Sequence, residues 1–213
     1  FMPDLFFDVF ENYRNNYQRI LSLLYPSKNS TGFTERNLSV NFANAYERVN
    51  SSAITWFEFQ FGENNNLHYD AVIIDPKNKR LLLIESKRFS NPHQKIASVG
   101  ADINRIQHAK DNYLHDFQLR VPDFTSYRIY GVILADIWTE TQRKKQIYAS
   151  FATGKFIPDF LEDFLIKYPS LNHATYYVGD FTDLPRDAPR RDSLQSYHLI
   201  SFAWEVSSVQ RLP

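Results

Sequence analysis

The chain contains no cysteine. That excludes disulfides, thiol catalysis, thiolate zinc sites and iron–sulfur clusters, and it fits a reducing compartment. It also lacks any excess of charge. Lys plus Arg and Asp plus Glu both number 24, for a formal net charge of zero. A neutral chain has no general attraction to nucleic acid or anionic lipid, so any such contact needs a local basic patch. No apolar run approaches the roughly 20 residues that span a bilayer. The first residues carry no signal-peptide pattern. The expectation is a soluble cytoplasmic protein without membrane contact. Internal repeats and low-complexity tracts are missing as well. What is abundant is aromatic: 16% of 213 residues, within 43% hydrophobic and 23% charged. This composition suits a globular core and one domain over residues 1–213.

Residues 4–25 read as an amphipathic helix, with Leu5, Val9, Tyr13, Tyr17, Ile20 and Leu24 at helical spacing. A second helix is expected over 34–49, with Thr34 as N-cap and Leu38, Phe42, Tyr46 and Val49 as its stripe. Alternation and β-forming residues predict strands at 54–61, 67–75 and 80–87, the last two joined by the turn Pro76–Lys79. A long helix is expected over 94–118, with Ile96, Val99, Ile103, Ile106 and Tyr113 inward, then a buried strand at 126–138. Helices near 142–152 and 157–167 and strands at 174–181 and 197–206 complete the chain. This order predicts an α/β fold with a mixed central β-sheet flanked by helices.

The segment LLLIESKRF, 81–89, runs from an apolar strand directly into Glu85, Lys87 and Arg88. If Asp75 faces Arg80 across the turn, Ile74 faces Leu81, Val72 faces Leu83, Asp70 faces Glu85 and His68 faces Lys87. These side chains then share one sheet face. Directly opposed carboxylates, with Cβ atoms roughly 4.5–5.5 Å apart, repel unless a cation sits between them. Magnesium takes such oxygen ligands. The alternative is a strand end that frays into solvent, with Glu85 and Lys87 as a surface ion pair. The apolar run before Glu85 weighs against that, because a central strand needs partners for its charges. Glu35 falls on the inward stripe of the second helix, where it can reach the sheet or simply complement the helix dipole. Gln107 lies near the stripe of the long helix and reads first as a core amide. Asn104 and Arg105 lie off that stripe and are weaker candidates.

A helix glutamate, then a strand with Asp70, then fourteen residues, then Glu85-Ser86-Lys87 and a long helix: this pattern resembles the PD-(D/E)xK nuclease superfamily. The likeness is carried by TERNLSVNFANAYERV and HYDAVIIDPKNKRLLLIESKRF and continues through ADINRI and RIYGVILADIW, about residues 34–138. Tyr69 stands where many members have proline before the aspartate. The Gln-x-x-x-Tyr motif of some members is absent, since Asp111 follows Gln107 at that spacing. The resemblance implies a restriction-endonuclease-like core behind a helical N-terminal extension, with 139–213 as further helices and strands. It implies Asp70, Glu85 and the Ser86 carbonyl as ligands of Mg2+ or Mn2+. Lys87 would orient or activate the attacking water, and Glu35 would bond metal-bound water.

The implied activity is metal-dependent hydrolysis of phosphodiester bonds, with DNA as the expected partner. Contacts to nucleic acid would come from Arg88, His68, His93, the Arg143–Lys145 run including Lys144, and the 186–191 loop including Arg190. Each basic run also reads as ordinary solvated surface. Two other readings stay open. One is a nuclease-fold protein without activity that binds nucleic acid or protein, which net neutrality favours together with a homodimer or protein partner. The other is an unrelated α/β hydrolase or binding protein in which these charges are incidental.

Overall fold

The computed structural model describes residues 4–23, 34–60, 68–88, 92–109, 114–140, 166, 175–180 and 194–206. The helices expected near 142–152 and 157–167 therefore fall outside the described residues, apart from residue 166. Lys144 and Arg190 fall outside them too.

The fold is α/β, a mixed sheet between two layers of helix. In chain order the elements are α1 (Asp4–Leu23), α2 (Glu35–Val49), β1 (Ile54–Gln60), β2 (His68–Asp75), β3 (Arg80–Arg88), α3 (Pro92–Gln107), α4 (His115–Arg120), a 3-10 turn (Phe124–Ser126), β4 (Arg128–Glu140), β5 (Thr175–Asp180) and β6 (Leu194–Glu205). The six strands lie in the order β1-β2-β3-β4-β6-β5. The β3–β4 pair is parallel and the other pairs are antiparallel. The parallel pair needs a crossover, which α3 and α4 supply.

Alternation along the central strands divides the core. Leu82, Ile84, Tyr130, Val132 and Leu134 meet α1 and α2. Leu81, Leu83, Ile129, Ile133 and Ala135 meet α3 and α4. On the first face, Phe10 and Tyr13 of α1 pack on Phe42 of α2, the Tyr13 ring edge-on at 79°. Leu38, Phe42 and Tyr46 are buried as their spacing requires, whereas Val49 at the helix end is exposed. On the second face Gly131 admits the Trp204 indole; a Cβ at 131 would lie within 2.6 Å of Trp204 Cε2 and Cη2.

The expected helix over 94–118 is interrupted among the described residues: α3 ends at Gln107, His108 is a turn residue, and α4 begins at His115. Leu114, at φ −97° and ψ 11°, is the N-cap of α4.

The β2–β3 register agrees with the expectation over Ala71–Ile84 to Asp75–Arg80 and ends there. Asp70 and Glu85 are thus not joined across the ladder. The cause lies on the other side of β2. Glu58 of β1 has φ +51°, and the β1–β2 register passes from Phe57–Ala71 to Phe59–Tyr69 without pairing Glu58 to Asp70. Both strands change face at this step. Phe57 and Ala71 belong with the α1–α2 core, whereas Phe59 and Tyr69 belong with the α3–α4 core. Asp70 sits at the crossover.

Candidate active site

Strand β3 carries its charges out of the core with its alternation intact. Ser86 turns toward α2, where its hydroxyl lies 2.7 Å from that of Ser39. Glu85 and Lys87 turn toward α3. Glu85 is buried and paired with the Arg105 guanidinium. Lys87 Nζ lies 3.0 Å from Asp102 Oδ2. Asp102 also accepts from Arg105 through Oδ1 at 3.0 Å, so one buried carboxylate holds both cations.

Asp70 reaches the same strand end from β2. Its Oδ2 accepts the Ser86 backbone N–H at 2.6 Å. Glu35, at the first turn of α2, accepts the Arg88 N–H through Oε1 at 2.8 Å. The two acids are anchored to alternate amides of one strand, and this brings α2 and β2 to the end of β3.

The electrostatics follow from burial. Desolvation pushes the Glu85 carboxyl from the ordinary 4.5 up to about 8. Arg105 and Lys87 oppose that rise, while Asp102 and Asp70 add to it. Burial likewise raises the Asp70 carboxyl, against the Ser86 N–H and Lys87. Burial works to discharge Lys87, but Asp102, Glu85 and Asp70 outweigh it and raise its pKa, so the ammonium is held charged. Burial is thus the leading cause for both acids, with the neighbouring charges acting in both directions on each.

Asp70, Glu85, Lys87, Glu35 and Ser86 thus come together, while the other expected contacts divide. Arg88 is at the strand end, partly buried. His68 pairs with Gln60 of β1, and its Nε2 lies 3.1 Å from Glu58 Oε2, so the expected approach to Lys87 gives way to a contact with Glu58. His93 lies in the first turn of α3, and its side chain is outside the described residues. Asn104 is exposed and Gln107 half-buried. One member of the cluster, Asp102, was not expected, and Arg105 was expected only as a weaker candidate. Asp102 falls three residues after Val99 and one before Ile103, an acid on an apolar stripe, which was its available signal. Arg105, set aside as off the stripe, follows Asp102 at i+3 and is tied to it.

Asp70 and Glu85 supply carboxylate oxygens, the donor type a hard divalent cation takes while keeping the rest of its shell as water. Among the described residues no group of three or more His, Asp or Glu side chains is arranged to hold a metal by side chains alone. An open groove of about 830 Å³ between α1 and α2, lined by Asn16, Arg19, Asn41, Asn44, Glu47 and Arg48, includes no member of the cluster.

No family model, curated protein or solved structure matches the chain. Among the described residues no helix is long and apolar enough to cross a membrane.

Proposed function

We propose that the protein is a metal-dependent nuclease acting on DNA, built on a restriction-endonuclease-like core. The observation that carries this reading is the junction at the end of β3. There Asp70 bonds the Ser86 N–H, Glu35 bonds the Arg88 N–H, and Glu85 and Lys87 turn toward α3. Three carboxylates and an ammonium, from α2, β2 and β3, thus meet at one strand end, with α3 packed against it.

In this reading Asp70, Glu85 and the Ser86 carbonyl would hold Mg2+ or Mn2+. When bound, such an ion supplies Lewis-acid stabilisation of phosphate charge and acidifies water at neutral pH. The chain's own groups do the rest. Lys87, held charged by Asp102, presents a fixed cation where negative charge develops on the phosphate. The Ser86 and Arg88 amides fix the directions of the Asp70 and Glu35 carboxylates. Arg88 itself is a candidate phosphate contact at the same strand end.

The second reading is a nuclease-fold module that binds nucleic acid or protein without cutting. It is favoured by the engagement of Glu85 with Arg105 and of Lys87 with Asp102, a set of contacts complete without a metal. One experiment separates the two. Plasmid, linear duplex, single-stranded DNA and RNA are incubated with magnesium, manganese or chelator, using wild type and Lys87→Ala. The nuclease reading predicts metal-dependent cutting that falls about 100- to 1,000-fold in the variant, the cost of losing one transition-state charge contact. Absence of cutting by wild type with every substrate and metal would leave the binding module.

A further inference from the structure

Resting on the nuclease reading, we infer that Arg105 is a built-in competitor of the divalent metal at Glu85, and that Asp102 holds its guanidinium when the metal displaces it. The Glu85 carboxylate that would serve the metal already holds a cation, the Arg105 Nη2 group on Oε1. A guanidinium is a monovalent cation held in place of a divalent one. Both cannot bind this one carboxylate at full strength, because the two positive charges repel at this distance.

The arrangement around Arg105 gives it somewhere to go. Its Nη2 group also donates to Asp102 Oδ1 at 3.0 Å. Asp102 is buried and simultaneously faces Lys87 at 3.0 Å. Leaving Glu85 therefore does not strip Arg105 of its counter-ion. Among the described residues the buried Arg105 Nε has no hydrogen-bond partner, so the Glu85 and Asp102 contacts both run through Nη2. The Tyr69 ring, 5.7 Å from Cζ, supports the side chain through a cation–π contact that tolerates small rotations. The metal-free site is thus kept neutral enough to fold, and metal enters against a cation that must first yield.

The test is calorimetric titration of Mn2+ into the metal-stripped full chain. Wild type, Arg105→Ala, Arg105→Gln, Arg105→Lys and Glu85→Gln are compared. Glutamine keeps part of the length and a hydrogen-bonding end, so the test stands if the alanine variant does not fold. The inference predicts that Arg105→Ala and Arg105→Gln bind Mn2+ about 10- to 100-fold more tightly than wild type, the scale of one hydrogen bond to a buried charged group. Arg105→Lys stays close to wild type, and Glu85→Gln loses binding. In thermal melts, Mn2+ raises the Tm of Arg105→Ala more than that of wild type. Binding by the uncharged variants no tighter than wild type, with Glu85→Gln still losing it, would overturn the inference and leave the metal site intact. Absence of Mn2+ binding in wild type and every variant would overturn both.

Discussion

The buried Glu85 carboxyl makes stability depend on pH in an unusual direction. Its folded pKa of about 8 lies above the ordinary 4.5, so between these values the folded chain binds more protons than the unfolded one. Stability from this group is complete below the unfolded pKa and is lost as pH rises through the folded one. Single-site linkage with these two values removes about 4 kcal/mol between pH 5 and pH 9 in metal-free protein, an upper figure for one group. Asp70 is shifted the same way and adds to the loss. Glu85→Gln abolishes the Glu85 share, because the amide does not titrate. The assay is urea unfolding in chelator at pH 5, 7 and 9 for both proteins. Wild type should lose most of its stability advantage toward pH 9, and the glutamine variant should hold steady or exceed it there. Equal pH slopes for the two proteins, or wild type gaining stability toward pH 9, would refute the burial argument and show that Arg105 dominates Glu85.

Other consequences lie away from the cluster. Asp75 is buried, with Tyr46 Oη at 3.2 Å, Ser52 Oγ at 2.8 Å and Asn78 Nδ2 at 2.7 Å donating to it. Asp75→Ala strands those donors and should cost about 2–4 kcal/mol in urea unfolding, with metal affinity unchanged in the folded fraction. Gly131→Ala drives a methyl into the Trp204 ring and should cost about 1–3 kcal/mol by the same assay, part of it recovered in the double variant with Trp204→Leu. Asp102→Asn loosens both Lys87 and Arg105, so it should lower the Lys87 pKa and shift the alkaline limb of any cleavage pH profile to lower pH.

The turn and the apolar alternation made much of the sheet legible. Pro76–Lys79 is a short turn between two strongly patterned strands, and it set the register of 71–75 against 80–84 correctly. The same logic failed one residue further on, at Asp70 and Glu85. Nothing local to β2 announces that Glu58 of another strand adopts a left-handed conformation and that both strands change face there. The parallel pairing of β3 with β4 is non-local in the same way, although the element order already implied a mixed sheet. In α1 the spacing identified Val9, Tyr13 and Tyr17, but Phe6 and Phe10 are buried as well, because the helix faces both α2 and the sheet and needs a wider apolar stripe. In the cluster, residues on one strand or at a helix start were readable by position. Asp102 and Arg105 were not, since their importance comes from packing α3 over the end of β3.

The central claim is that Asp70 and Glu85 serve a divalent metal in phosphodiester cleavage. The most direct measurement is the rate of supercoiled plasmid nicking by wild type and Asp70→Asn, each verified as folded by circular dichroism, across a magnesium titration. The account predicts magnesium-dependent nicking by wild type, stopped by chelator, and none above background by the variant at any magnesium concentration. Nicking that persists in Asp70→Asn, or that proceeds in chelator, would contradict it.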